Sequence, residues 1–272
     1  MTLFQALIFA IVQGITELFP ISSVGHGVLT PYVFHWNLNQ AFLNEHFLPF
    51  LVMLHLGTAL ALLIFFWREW LTIIRSLFAR SQNRLLLLII VGSIPAGLIG
   101  VLLEKPLTHL FTNVTSAAFF LIINGLLLFF GERLRSKGKK KINDLTYGQA
   151  LVIGLFQSLA LIPGFSREGA SMTAGFWAGL KHEEAARFSM LLATPVIAGA
   201  GLLEVPKLAK SGIHGLFQIS LIGGLFAGLF AYLSVTILIR WFKKNEIDAM
   251  KPFAYYCWIV GTVVLITRLL TR

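Results

Sequence analysis

Charge is scarce in this chain. Of 272 residues only 12% are Asp, Glu, Lys or Arg, while 57% are hydrophobic; a soluble domain carries roughly 25% charged residues. So few polar groups cannot cover a soluble particle of this length, which excludes a soluble globular class. Cysteine is all but missing. The one residue, Cys257, lies in an apolar run, so no intrachain disulfide can form and a packing role is expected. Strict apolar–polar alternation is absent, which excludes an outer-membrane barrel. No basic leader precedes the first apolar run, so no cleavable signal is expected. Acidic residues are the rarer sign, 12 against 22 basic, for a net charge of +10. In a membrane chain that surplus points to basic loops against anionic lipid and away from nucleic acid.

What is present is a series of apolar stretches of roughly 15 to 20 residues, the length that crosses a bilayer as helix. Six spans are expected, near 47–66, 85–103, 117–131, 187–205, 216–239 and 253–270. Two further apolar stretches, 3–34 and 148–180, are interrupted by Pro, Gly, Ser and charged residues. Irregular backbone at membrane depth is tolerated only beside protein or a watery cavity. Each is therefore read as a re-entrant helix pair that dips to mid-membrane and returns.

The two interrupted stretches resemble each other. Gln5–His26 aligns without gaps on Gln149–Ala170, with identities at Gln5/Gln149, Ala6/Ala150, Leu7/Leu151, Gln13/Gln157, Ser22/Ser166 and Gly25/Gly169. Later, Gly92 with Ala96-Gly97-Leu98 echoes Gly223 with Ala227-Gly228-Leu229. The chain thus reads as an all-α polytopic membrane protein of two repeats, each one re-entrant pair plus three transmembrane helices. Residues 1–131 form the first, 132–147 a basic cytoplasmic linker and 148–272 the second. Three spans is an odd number, so the second repeat is inverted, and the re-entrant pairs meet near the midplane. This topology sends sixteen basic residues to one face, between Arg68 and Arg84, Arg133 and Lys141, Lys181 and Arg187, and Arg240 and Lys251. The other face receives Lys105, Lys207, Lys210, Arg268 and Arg272. The richer face is expected to be cytoplasmic and both termini external.

One basic residue, Arg167, falls outside both sets, at the second break. Glu17 at the first break and Glu168 at the second are similarly placed. Charges near the bilayer centre cost about 2.5–3.5 kcal/mol on insertion scales and mark functional sites. Gln13 and Glu17 share a helical face four residues apart. Ser22, Ser23 and Ser166 are N-cap candidates. A returning half-helix then aims its N–H groups at the cavity, which with Arg167 suits a phosphate. Glu17 could hold a hard cation on diphosphate oxygens. Ser23 and His26, three apart, suit a nucleophile with its base, or a histidine nucleophile beside a serine. Taken singly, a serine pair is usually a cap and a lone histidine is usually packing. His35, His46, His55, His109, His182 and His214 show no comparable setting.

At these residues the chain resembles the undecaprenyl-diphosphatase family, also called the bacitracin-resistance protein family. The motifs are Gln13-Gly14-Ile15-Thr16-Glu17, then Pro20 to His26, then Pro163 to Gly169. The resemblance spans nearly the whole chain. It implies hydrolysis of undecaprenyl diphosphate to undecaprenyl phosphate and phosphate, which recycles the lipid carrier for cell-wall synthesis. It implies magnesium or calcium, a site open to the outer face of the bacterial inner membrane, and roles for Glu17, Ser23, His26 and Arg167. Ser22, Ser166 and Gly169 would join Arg167 on the phosphates. Two departures bear on the metal: Gln13 stands where glutamate is commoner, and Glu168 where serine is usual. Glu168 either pairs with Arg167 or supplies the ligand that Gln13 lacks. Membrane lipids, the polyprenyl diphosphate and further copies of the chain are the partners to consider. The rival reading is a polyprenyl-phosphate flippase or another inverted-repeat transporter.

Overall fold

The computed structural model of the chain describes residues 1–78, 83–108, 113–134, 138–213, 215–245 and 247–271. Arg80, His109, Arg135, Lys137, His214 and Arg272, which entered the charge and histidine readings, lie outside them. Among the described residues all regular structure is helical: α1 Leu3–Thr16, α2 Ser23–Val33, α3 Gln40–Glu45, α4 Phe47–Phe65, α5 Trp67–Phe78, α6 Arg84–Thr108, α7 Val114–Arg133, α8 Tyr147–Gln157, α9 Arg167–Trp177, α10 His182–Ala209, α11 Leu216–Lys244 and α12 Lys251–Leu270. Helices α4, α6, α7, α10, α11 and α12 are long and apolar enough to cross a membrane. They coincide with the six expected spans. Helix α10 begins earlier than expected, at His182, because Glu183 and Glu184 sit well in a helical first turn. The stretch after α4, expected to be a basic loop, is helix α5.

Both interrupted stretches form helix–break–helix units. Their chain ends are built alike. Thr2 and Gln5 form a reciprocal capping box at the start of α1, and Thr146 and Gln149 form the same box at α8. Ser22 Oγ accepts Gly25 N–H at 3.1 Å at the start of α2, and Ser166 Oγ accepts Gly169 N–H at 3.1 Å at the start of α9. Such caps satisfy helix N–H groups that would otherwise be orphaned. Proline ends each run: Pro20 and Pro163 lack the N–H a helix needs, and Gly164 follows at φ +110°.

Small residues set the packing. A Cβ on Gly57 of α4 would lie 1.7 Å from the Gly224 carbonyl oxygen of α11, so the two backbones touch. Helices in lipid associate through such close approaches, since burial from water no longer drives them together. The first helix of each broken pair packs on a helix of the other half: Gly14 of α1 lies against Ala227 of α11, and Gly154 of α8 against Gly92 of α6. These contacts use the echoed Gly/Ala segments.

One end of the bundle gathers most of the described basic residues. There Arg84 at the start of α6 donates to the carbonyls of Asn143 and Leu145, and Arg187 of α10 bonds Glu69 of α5 at 3.1 Å. His182 stacks on Phe242 near the end of α11. At the same end Glu132 bonds His182 Nε2 at 3.0 Å and accepts Met250 N–H at 3.2 Å, joining α7, α10 and α12.

Candidate active site

The two breaks are in direct contact. Asn124 of α7 donates to the Pro20 carbonyl at 3.0 Å and accepts Ser166 N–H at 2.9 Å. Gly164 N–H donates to Ser22 Oγ at 3.2 Å. Ser22 reaches both of its partners from a left-handed backbone, φ +68°, a conformation that costs a non-glycine residue of order 1–3 kcal/mol and persists only where surroundings fix it.

Glu17 ends α1 and sits at the centre of the junction, with its side chain 4% exposed. Arg167 Nη2 lies 2.8 Å from its Oε1. The other oxygen, Oε2, accepts from Gln13 Nε2 at 3.0 Å and from the Ser23 hydroxyl, and lies 3.0 Å from His55 Nε2. His55 Nε2 is also 3.5 Å from Ser23 Oγ, while its Nδ1 donates to the Leu51 carbonyl at 2.8 Å. Arg167 is shared, for Nη2 also lies 2.8 Å from Glu168 Oε1. Glu168 in turn accepts the Ser189 hydroxyl, which meets Ser171. A buried charge needs such partners, because desolvating an ion without them costs several kcal/mol.

A cavity of about 180 Å³ opens on this cluster. Glu17, Ser23, His55, Gln157, Ser166 and Arg167 form its polar wall; Leu51, Val52, Ala96, Leu161, Val196 and Ala200 are among its apolar lining. The first turns of α2 and α9 both face it, through Ser23, Val24, Ser166 and Arg167. Two helix N-termini and a guanidinium make a site for an anion. The apolar side suits a hydrocarbon.

Of the expected site residues, Glu17, Ser23, Ser166 and Arg167 line the cavity, while Ser22 and Gly169, expected on the phosphates, sit in the capping turns and are not part of its lining. His26 does not join them, which corrects its pairing with Ser23. Its Nδ1 turns back to the Ser22 carbonyl at 2.7 Å, and its Nε2 meets the Tyr256 hydroxyl at 2.8 Å. The ring stacks on Tyr256. Helical spacing put His26 on the right stripe of α2, but the imidazole is drawn outward to α12. The imidazole beside Ser23 is His55, which the sequence reading set aside. Its only signal is a titratable group at the middle of a span.

Among the described residues no three His, Cys, Asp or Glu side chains gather in a metal cluster. Of the three residues considered as ligands, only Glu17 lines the cavity. Gln13 spends its amide N–H on Glu17, and Glu168 lies fully buried behind Arg167.

The family profile described as "Bacitracin resistance protein BacA" matches residues 6–263. The chain is 54% identical over 269 residues to Undecaprenyl-diphosphatase 2 of Oenococcus oeni, covering 98% of this chain and 99% of that protein. It is 48% identical to Undecaprenyl-diphosphatase 2 of Chromobacterium violaceum, covering 99% and 100%, and 48% identical to the undecaprenyl-diphosphatase of Acidiphilium cryptum, covering 98% of each.

Proposed function

The chain belongs to the bacitracin resistance protein family, and we propose that it acts as an undecaprenyl-diphosphatase, a multi-pass membrane hydrolase that converts undecaprenyl diphosphate to undecaprenyl phosphate and phosphate. The observation that carries the chemistry is the convergence of Ser23, Glu17 and Arg167 on one cavity wall. The Ser23 hydroxyl already donates to Glu17, so this carboxylate is placed to take the proton as Oγ attacks the terminal phosphorus. The P–O bond to the bridging oxygen breaks, undecaprenyl phosphate leaves, and water then cleaves the phosphoserine. Arg167 and the first turns of α2 and α9 hold the phosphate oxygens, the electrostatic positioning on which phosphoryl transfer depends.

The charge balance supports a divalent cation, magnesium or calcium. Arg167 and His55 face the carboxylates of Glu17 and Glu168, and a diphosphate adds further negative charge. Glu17, which lines the cavity, would hold such a cation, and the cation would supply positive charge against the diphosphate.

The repeat and orientation belong to the same reading. Residues 1–131 and 148–272 are two inverted halves joined by the basic segment 132–147. Matched capping boxes, matched serine caps and the exchanged packing of α1 and α8 support this. The basic end faces the cytoplasm, and the active site opens to the outer face of the inner membrane.

The test is phosphate release from a C55 or C15 diphosphate by purified protein in detergent. Release that stops on chelation supports the reading. No release under any metal condition overturns the hydrolase in favour of a transporter, since detergent leaves no membrane to cross.

A further inference from the structure

Helix α5 has little to hold it. Of its twelve residues only Ile73 is buried. Trp67, Ile74, Leu77 and Phe78 are exposed, Phe78 at 85%, and Trp67, Leu71, Ile74 and Phe78 recur at helical spacing down one side. The other side carries Arg68, Glu69, Thr72 and Ser76, which line an open pocket of about 520 Å³ together with Asn83, Arg84, Leu85 and Asn143. The acid in this pocket is partly offset: Glu69 pairs with Arg187 at 3.1 Å, which it shares with Glu184 at 2.8 Å. With Arg68 and Arg84 the group holds three arginines against two glutamates, so the pocket keeps a net positive charge. Arg84 is fixed by the two linker carbonyls and lies over Tyr147, and Arg68 lies over Trp67. The hydroxyls of Thr72 and Ser76 donate to their own helix, leaving oxygen lone pairs and no negative charge toward the pocket.

An amphipathic helix with a tryptophan and a basic polar face lies in the plane of a membrane surface. Here, unusually, its polar face covers a cationic pocket and its apolar face is open. One molecule satisfies both: a phosphate that carries acyl chains. We propose that the pocket between α5 and the start of α6 is the headgroup site of an anionic phospholipid, its phosphate held between Arg68 and Arg84 and its chains along the Trp67, Leu71, Ile74 and Phe78 stripe. This site is at the basic end, beside the Glu69–Arg187 pair, and does not depend on the hydrolase reading.

Native mass spectrometry of the purified full chain, titrated with phosphatidylglycerol or phosphatidylcholine, tests it. Phosphatidylglycerol should bind first. Arg68→Gln should weaken that adduct about fivefold, the usual effect of one basic residue at an anionic surface. Lys243→Gln, the same charge change at the same end but outside the pocket, should leave it unchanged, and Phe78→Ser should weaken it through the chains. Equal losses in Arg68→Gln and Lys243→Gln would overturn the site in favour of diffuse attraction. Displacement of phosphatidylglycerol by equimolar glycerol phosphate, or dimers that lose affinity in Phe78→Ser, would overturn the lipid as occupant.

Discussion

Ser22 Oγ accepts the backbone N–H of Gly164 from a residue 142 positions further along the chain, while also capping α2 through Gly25. The first break is thus held in shape by the second. Ser166, its counterpart in the other half, caps α9 through Gly169. Ser22→Ala should therefore destabilise more than Ser166→Ala. The cap is worth about 0.5–2 kcal/mol, and a buried N–H left without an acceptor costs about 1–3 kcal/mol more. Thermal unfolding of the two variants in one detergent measures the difference. Equal falls in melting temperature would show that the bond across the breaks contributes nothing.

The two imidazoles near α2 should behave differently. Ser23→Ala should lose at least about a hundredfold in phosphate release, the scale of removing a reacting group or its proton partner. His55→Ala should approach that loss, because His55 Nε2 touches both Ser23 and Glu17. His26→Ala should be milder and should act through the Tyr256 contact, so Tyr256→Phe should reproduce part of it. Any trapped phosphoenzyme should be acid-stable and missing in Ser23→Ala. An acid-labile one missing in His26→Ala would move the nucleophile to histidine.

Arg167 offsets two carboxylates at once. Arg167→Ala leaves Glu17 and Glu168 without it, and breaking such a buried pair costs about 3–5 kcal/mol. Poor folding would then hide any catalytic defect. Arg167→Ala combined with Glu168→Ser should recover folded yield and still release almost no phosphate. Arg167→Lys should fold and lose most turnover, since a point charge cannot replace the planar fork. Full turnover in the double variant at matched yield would remove Arg167 from the phosphate site.

Orientation is open to direct measurement. Lys139 and Lys210 are exposed at opposite ends of the bundle. In a Cys257→Ala background, Lys139→Cys should react only with permeant thiol reagents in intact cells, and Lys210→Cys with impermeant ones as well. The reverse pattern would invert the topology.

Much of this architecture was legible in the sequence because length and hydropathy act locally. The spans and the breaks at Pro20 and Pro163 follow from what a short stretch can bury or bond. Glu17 and Arg167 were legible for a related reason: an ion in an apolar stretch needs a partner wherever that partner lies. His55 was not, because an imidazole can be uncharged in a span and nothing nearby in sequence names Ser23. Nor was the outward turn of His26, which depends on a tyrosine 230 residues away. Helix α5 was hidden because its charges read as a loop and its apolar residues were too few for a span.

The concentration of contacts on Glu17 limits how this site can change over generations. Gln13, Ser23, His55 and Arg167 all converge on one carboxylate. Their effects are therefore coupled, and replacements that share a network fail to add. A change at Gln13 alters the oxygen that His55 and Ser23 use, so the same substitution has one outcome beside His55 and another without it. Variation here is expected to arrive in compensating sets, and transplanting a single residue from a relative would import the loss without the remedy.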